Sequence, residues 1–123
     1  MNVLGTHLLL ELRECNPAFL DDIDYVKDAM VSAARVVEAQ IIGESFHRFK
    51  PQGVTGVLAI AESHLSIHTW PEHNYAAADI FTCGTSRKPR QAAQLLIDRL
   101  ESKNPAIIEQ QRGVQMPTPV GSS

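Results

Sequence analysis

Two runs of alternating side chains, His64–Trp70 and Tyr75–Thr82, flank the stretch Pro71-Glu72-His73-Asn74. In the first run Leu65, Ile67 and Thr69 alternate with His64, Ser66 and His68. Successive side chains of a β-strand point to opposite faces, so this run has one mainly apolar face and one that carries histidines. Proline and asparagine between the runs are turn formers. The segment therefore reads as an antiparallel hairpin. With Trp70 facing Tyr75 across the turn, paired positions keep a constant sum, and Glu62 falls opposite Cys83. Residues 61–84 also hold three of the five histidines, the single tryptophan and one of the two cysteines. That is an unusual concentration of reactive side chains for one hairpin.

The rest of the chain supplies more strands and two helices. Residues 3–12, 40–49, 54–61 and 106–115 read as strands, and Lys50-Pro51-Gln52-Gly53 as a turn. Asn16-Pro17 is a helix start, with a capping side chain followed by proline at the first helical position. Leu20, Ile23, Val26, Met30, Ala33 and Val37 then recur every three or four residues, which predicts one amphipathic helix to about Ala39. Ser86 is the expected cap of a second helix, with Ala92, Leu95, Leu96 and Leu100 along one face. The expected fold class is α+β: a two-layer sandwich, mostly antiparallel sheet with both helices on one face. Residues 1–123 suit a single domain, with a frayed tail from about residue 116.

Composition removes several classes of function. The formal net charge of -3 gives no basic face for nucleic acid and no polybasic membrane anchor. The N-terminal apolar run is interrupted by Glu11 and Arg13, so it reads as neither signal peptide nor membrane span. Cys15 and Cys83 do not form a disulfide framework. A cytoplasmic location is expected.

His64, His68, His73 and Cys83 raise a metal site, but His64 and His68 on a strand stand about 13 Å apart, too far for one ion. No metal is expected. Ser63 follows Glu62 without the glycine elbow of a serine hydrolase. Taken singly, His68 and Cys83 read as structural, a satisfied strand histidine and a small buried hydrophobe.

Taken together, the stretch from Gly53 to Gly84 changes that reading. ESHLSIHTWPE and DIFTCG, in this order and spacing, resemble signatures of the prokaryotic S-adenosylmethionine decarboxylases. FHRF at Phe46–Phe49 and LGTHLLLEL near the start fit the same family, so the resemblance covers nearly the whole chain except the tail. The resemblance implies a zymogen that cuts itself between Glu62 and Ser63, giving fragments 1–62 and 63–123. The serine hydroxyl attacks the preceding carbonyl, the amide becomes an ester, and elimination followed by hydrolysis converts Ser63 into a pyruvoyl group. Amino acids alone offer no good electron sink for decarboxylation, and a ketone conjugated to an amide is one. The substrate amine forms an imine with that group, CO₂ leaves, and an acid returns a proton to the α-carbon.

The resemblance also assigns roles. Cys83 is the implied proton donor, since thiols ordinarily titrate near ~8.5 and can give up a proton close to neutrality. His68 is the implied proton carrier of self-cleavage, as imidazoles titrate near ~6.5. Thr55 stands where the family usually has a serine that assists processing. Leu4 and Phe49 match positions that pack on adenine, and Glu72 matches the carboxylate that holds the ribose hydroxyls. His73-Asn74 replaces the family's commoner Tyr-Gly. The implied activity is a pyruvoyl-dependent carboxy-lyase acting on S-adenosylmethionine for spermidine biosynthesis. Arginine or ornithine decarboxylation by the same chemistry is the alternative, and an uncleaved nucleoside-binding or regulatory relative is the alternative from another class.

Strand geometry adds a further expectation. Five extended residues separate Ser63 from His68 by about 17 Å, and the odd spacing points them to opposite faces. A sharp bend in the strand is one remedy, and a homodimer with shared active sites is the simpler one: His68, Thr55 and Phe49 of one chain meet Ser63 and Cys83 of the other, as the family resemblance also implies.

Overall fold

In a computed structural model, which describes residues 3–83 and 88–114, the chain runs β1 (Gly5–Arg13), α1 (Pro17–Leu20), α2 (Ile23–Val36), β2 (Ile41–Arg48), β3 (Val54–Ile60), β4 (Ser63–Trp70), a 3₁₀ turn (Pro71–His73), β5 (Tyr75–Cys83), α3 (Pro89–Arg99) and β6 (Asn104–Arg112). The strands form one six-stranded sheet in the order β2-β3-β4-β5-β1-β6. Every pairing is antiparallel. The α+β expectation is met, with the two longer helices packed on one face.

Alternation decides which face they cover. Leu8, Leu10 and Leu12 of β1, Leu58 and Ile60 of β3, Leu65 and Ile67 of β4 and Ile80 of β5 are buried. Against them α2 lays Val26, Ala29, Met30 and Ala33, a stripe at helical spacing, and α3 lays Ala92, Ala93 and Leu96. Each large side chain removed from water contributes roughly 1.5–3 kcal/mol, so this layer dominates the stability. The Tyr25 hydroxyl donates to the Arg99 carbonyl at 2.7 Å and ties α2 to the end of α3.

The opposite face of the sheet has no covering element among the described residues. Leu9, Val57 and Ile108 lie on it, 38%, 39% and 52% exposed. His64, Ser66 and His68 of β4 and Asp79 and Cys83 of β5 alternate with the buried residues onto this same face.

Three expectations need correction. The helix expected from Asn16 to about Ala39 is two helices, broken at Asp21-Asp22. Asp21 accepts from the Gly53 backbone at 2.9 Å and from Arg48 at 2.8 Å, while Asp22 turns its carboxylate onto the amides of Asp24 and Tyr25 as a new cap. The backbone hydrogen bond from Gly53 and the neighbouring Arg48 guanidinium hold the Asp21 carboxyl below its usual range. The second long helix starts at Pro89 with Lys88 at the cap position, so Ser86, itself outside the described residues, is not its cap. The last strand spans Asn104–Arg112 rather than residues 106–115, and position 115 with the tail beyond it lies outside the described residues.

Candidate active site

β3 and β4 are joined by Ala61 and Glu62 alone, since Ile60 pairs with Ser63. So short a connection forces unusual backbone, and Glu62 takes φ 70°, in the left-handed region where a residue with a Cβ is strained. The strain sits on the residue whose carbonyl begins the Glu62-Ser63 peptide. That carbonyl oxygen accepts from the Ser63 hydroxyl at 2.5 Å and from the Cys83 thiol at 2.7 Å. A hydroxyl thus lies beside the carbonyl it would attack, and a second donor polarises the same bond.

Cys83 arrives there by register. Trp70 pairs with Tyr75 and His64 with Phe81, the constant-sum pattern read from the sequence, which carries Cys83 to the turn. Gly5 pairs with Cys83 from the other side, so Leu4 stands next to the same corner, 63% exposed and packed on Gly113. Glu62, Ser63, Cys83 and Leu4 form one group.

A second group forms at the other end of β4. The Thr55 hydroxyl and His68 Nδ1 are hydrogen-bonded at 3.1 Å, and these residues pair directly between β3 and β4. Trp70 lies 6.3 Å from the His68 ring and 5.4 Å from Tyr75, centroid to centroid. Phe49, 47% exposed, meets His47 edge-on just beyond β2. Glu72 is exposed in the 3₁₀ turn after Trp70. The Tyr75 hydroxyl donates to Glu11 at 2.8 Å; partial burial and that carboxylate push the phenol up to about 12. Within one chain the structure brings Ser63 and Cys83 together and Thr55 and His68 together, but the two groups sit at opposite ends of the strand.

Between them lies a cluster that the sequence did not disclose. Asp79 accepts from His7 Nε2 at 2.6 Å, from His64 Nε2 at 2.8 Å and from the Ser66 hydroxyl. Burial alone would raise this carboxyl, but the hydrogen bonds from Ser66, His7 and His64 outweigh it and hold the group below its usual range. His7, His64 and Asp79 keep one ligand atom each within 4.8 Å of one another, a grouping that could hold a metal ion. The four residues first weighed for a metal, His64, His68, His73 and Cys83, do not assemble into such a group. A larger concavity, about 580 Å³ beside Pro17, Asp21, Arg48 and Pro71, carries no serine, cysteine or histidine in its lining.

Comparison with known proteins identifies the family. Residues 6–113 match the model of the family described as S-adenosylmethionine decarboxylase. A Thermodesulfovibrio yellowstonii protein named S-adenosylmethionine decarboxylase proenzyme is 54% identical over 114 residues, covering 93% of this chain and 84% of the relative. One of the same name from Caldanaerobacter subterraneus subsp. tengcongensis is 46% identical, covering 93% and 92%. The crystal structure of the adenosylmethionine decarboxylase from Aquifex aeolicus superposes with a TM-score of 0.88 at 31% identity, covering 94% of this chain and 96% of that one. The chain belongs to the S-adenosylmethionine decarboxylase family.

Proposed function

We propose that the chain is a proenzyme that cuts itself between Glu62 and Ser63 and then decarboxylates S-adenosylmethionine, the product serving spermidine biosynthesis. The observation that carries this is the Glu62 carbonyl, which receives both the Ser63 hydroxyl and the Cys83 thiol at the strained turn. Attack of Ser63 Oγ on the Glu62 carbonyl carbon forms a C–O bond and, as the C–N bond breaks, returns the amino group to Ser63. The Cys83 thiol steadies charge on the carbonyl oxygen during that step. Loss of the Ser63 α-proton expels the Glu62 carboxylate, and water then replaces the amino group, which leaves as ammonia. Ser63 suits this role because it starts a strand and so presents a free end after the cut. The pyruvoyl group so formed supplies the electron sink for decarboxylation. Cys83 stands beside position 63 to protonate the product carbon.

The homodimer is part of the proposal. With the uncovered faces of two sheets packed together, a twofold axis passing between positions 63 and 68 of the facing β4 strands sets the end that carries His68, Thr55, Phe49 and Glu72 of one chain against the end that carries Ser63, Cys83 and Leu4 of the other. The partly exposed Leu9, Val57, Trp70 and Ile108 give the uncovered face apolar surface for such packing. No helix of the described residues is long and apolar enough to cross a membrane, and the free thiols of Cys15 and Cys83 fit a reducing cytoplasm.

Intact-mass spectrometry followed by product analysis tests the activity. Two fragments, 1–62 and a blocked 63–123, with decarboxylated S-adenosylmethionine as product, are expected. A chain that stays full length after long incubation would favour the uncleaved binding relative. Agmatine or putrescine as main product would favour arginine or ornithine as substrate.

A further inference from the structure

We propose that Asp79 is a positioning residue that grips the cut end of β4 and keeps position 63 against Cys83 once the peptide bond before it is gone. The role rests on cleavage between Glu62 and Ser63, as proposed above.

Asp79 lies on β5 and draws donors from both neighbouring strands. His64 and Ser66 come from β4, two residues apart on one face, and His7 comes from β1. The direction of the bonds follows from Arg112. A guanidinium only donates, and its Nη1 lies 3.1 Å from His7 Nδ1, so that nitrogen accepts. The proton of the neutral His7 ring then sits on Nε2 and points at Asp79. His7 in this tautomer has no Nε2 lone pair to give a cation, so the cluster works as a carboxylate collecting hydrogen bonds rather than as a ligand set. Side-chain exposures of 16% for His7 and 19% for Asp79 keep water from competing freely.

Cleavage makes this grip matter. Before the cut, Ser63 is fixed by covalent bonds on both sides and by the two-residue turn. Afterwards it is the first residue of a strand, and terminal residues fray unless something ties them down. The ladder toward β5 begins only at the pair His64–Phe81, so position 63 lies beyond the last pair on that side. His64 is the first residue paired on both sides, with Ala59 and with Phe81, and its side chain is the one bound to Asp79. Two bonds from β4, at its second and fourth residues, hold the strand where the backbone has lost its neighbour. Reacting groups misplaced by about 1 Å can lose on the order of 10²-fold in rate, so a loosened end costs turnover.

Asp79→Asn and His64→Gln in the full chain test this. The asparagine keeps one acceptor and turns its amide, a donor, toward donors. Self-cleavage is expected to stay within about threefold of wild type, because the uncut chain holds Ser63 from both sides. Turnover per cleaved site is expected to fall about tenfold or more. Hydrogen exchange separates positioning from general destabilisation. The peptide covering residues 64–69 should exchange about tenfold faster in cleaved Asp79→Asn than in cleaved wild type. In an uncut Ser63→Ala background the same substitution should change its exchange less than about threefold. Equal acceleration in cut and uncut chains, or wild-type turnover in fully cleaved Asp79→Asn and His64→Gln, would overturn the role. A wild-type chain that never cleaves would instead sink the cleavage reading beneath it.

Discussion

A chain carrying Ser63→Ala keeps His68, and a chain carrying His68→Ala keeps Ser63. Neither is expected to cut itself when expressed alone. Position 63 begins β4 and His68 is its sixth residue, so the two Cα atoms stand roughly 17 Å apart at ~3.4 Å per residue. Proton transfer needs heavy atoms about 3 Å apart, and the nearest partner of the His68 Nδ1 is the Thr55 hydroxyl at 3.1 Å, not Ser63. On the proposed shared site, the histidine that serves Ser63 comes from a second chain. Equal co-expression with random pairing makes about half of the dimers mixed. Each mixed dimer holds one complete site, built from Ser63 of the His68→Ala chain and His68 of the Ser63→Ala chain. About half of the His68→Ala chains should therefore be cut, and none of the Ser63→Ala chains. Different affinity tags on the two chains allow mixed dimers to be isolated and weighed by intact-mass spectrometry. If isolated mixed dimers contain only uncut His68→Ala chain, the histidine acts within its own subunit and the shared-site geometry is wrong.

Further outcomes follow from the same contacts. Cys83→Ala removes a donor from the Glu62 carbonyl, so cleavage followed by mass should slow by about 10²-fold, and CO₂ release from the cleaved fraction should fall by about 10²–10⁴-fold. Cys83→Ser should recover much of the cleavage, and normal turnover in Cys83→Ala would leave the thiol a packing role only. At Gly56 a Cβ would run into the Phe46 ring, so Gly56→Val should cost about 1–3 kcal/mol in urea unfolding, and an unchanged midpoint would refute that packing. The folded-state pKa of Asp79 is depressed, so its contribution is complete above the ordinary aspartate value near ~3.9 and is lost as pH falls through the folded value. In the cleaved protein, wild-type Asp79 should therefore stabilise the fold above Asp79→Asn at pH 6, and thermal unfolding should show that advantage shrinking below about pH 4. An advantage that holds constant down to pH 2 would contradict the assigned charge.

Much of the candidate site's geometry was legible because a hairpin propagates its register. Once Trp70 faces Tyr75, the position of Cys83 beside the turn follows by counting, and the structure shows that pairing. The separation of Ser63 from His68 followed from strand rise and alternation alone. The break at Asp21-Asp22 was not legible, because the groups that hold Asp21 come from Arg48 and Gly53, 27 and 32 residues away. Helical periodicity continues smoothly through that break and gives no warning. The Asp79 cluster was hidden for a similar reason. His7 lies 72 residues from Asp79 in sequence, and only the pairing of β1 with β5 makes them neighbours. An aspartate flanked by apolar residues in a strand was the one local sign, since such a charge needs partners from elsewhere.

The strand order has a consequence for the severed protein. A cut after Glu62 leaves β1, β2 and β3 on one piece and β4, β5 and β6 on the other. In space these alternate, for β1 is inserted between β5 and β6, and β3 borders β4. The two pieces are therefore interlocked along three seams, and neither retains a continuous sheet without the other. A nicked molecule cannot shed one piece by local opening; it has to unfold to come apart. Once apart, it would have to reassemble by collision, at a rate that depends on concentration, whereas the uncut chain folds at a rate independent of it. On the proposed cut, the peptide bond between Glu62 and Ser63 acts as a temporary tether that delivers both pieces to the same sheet before it is spent.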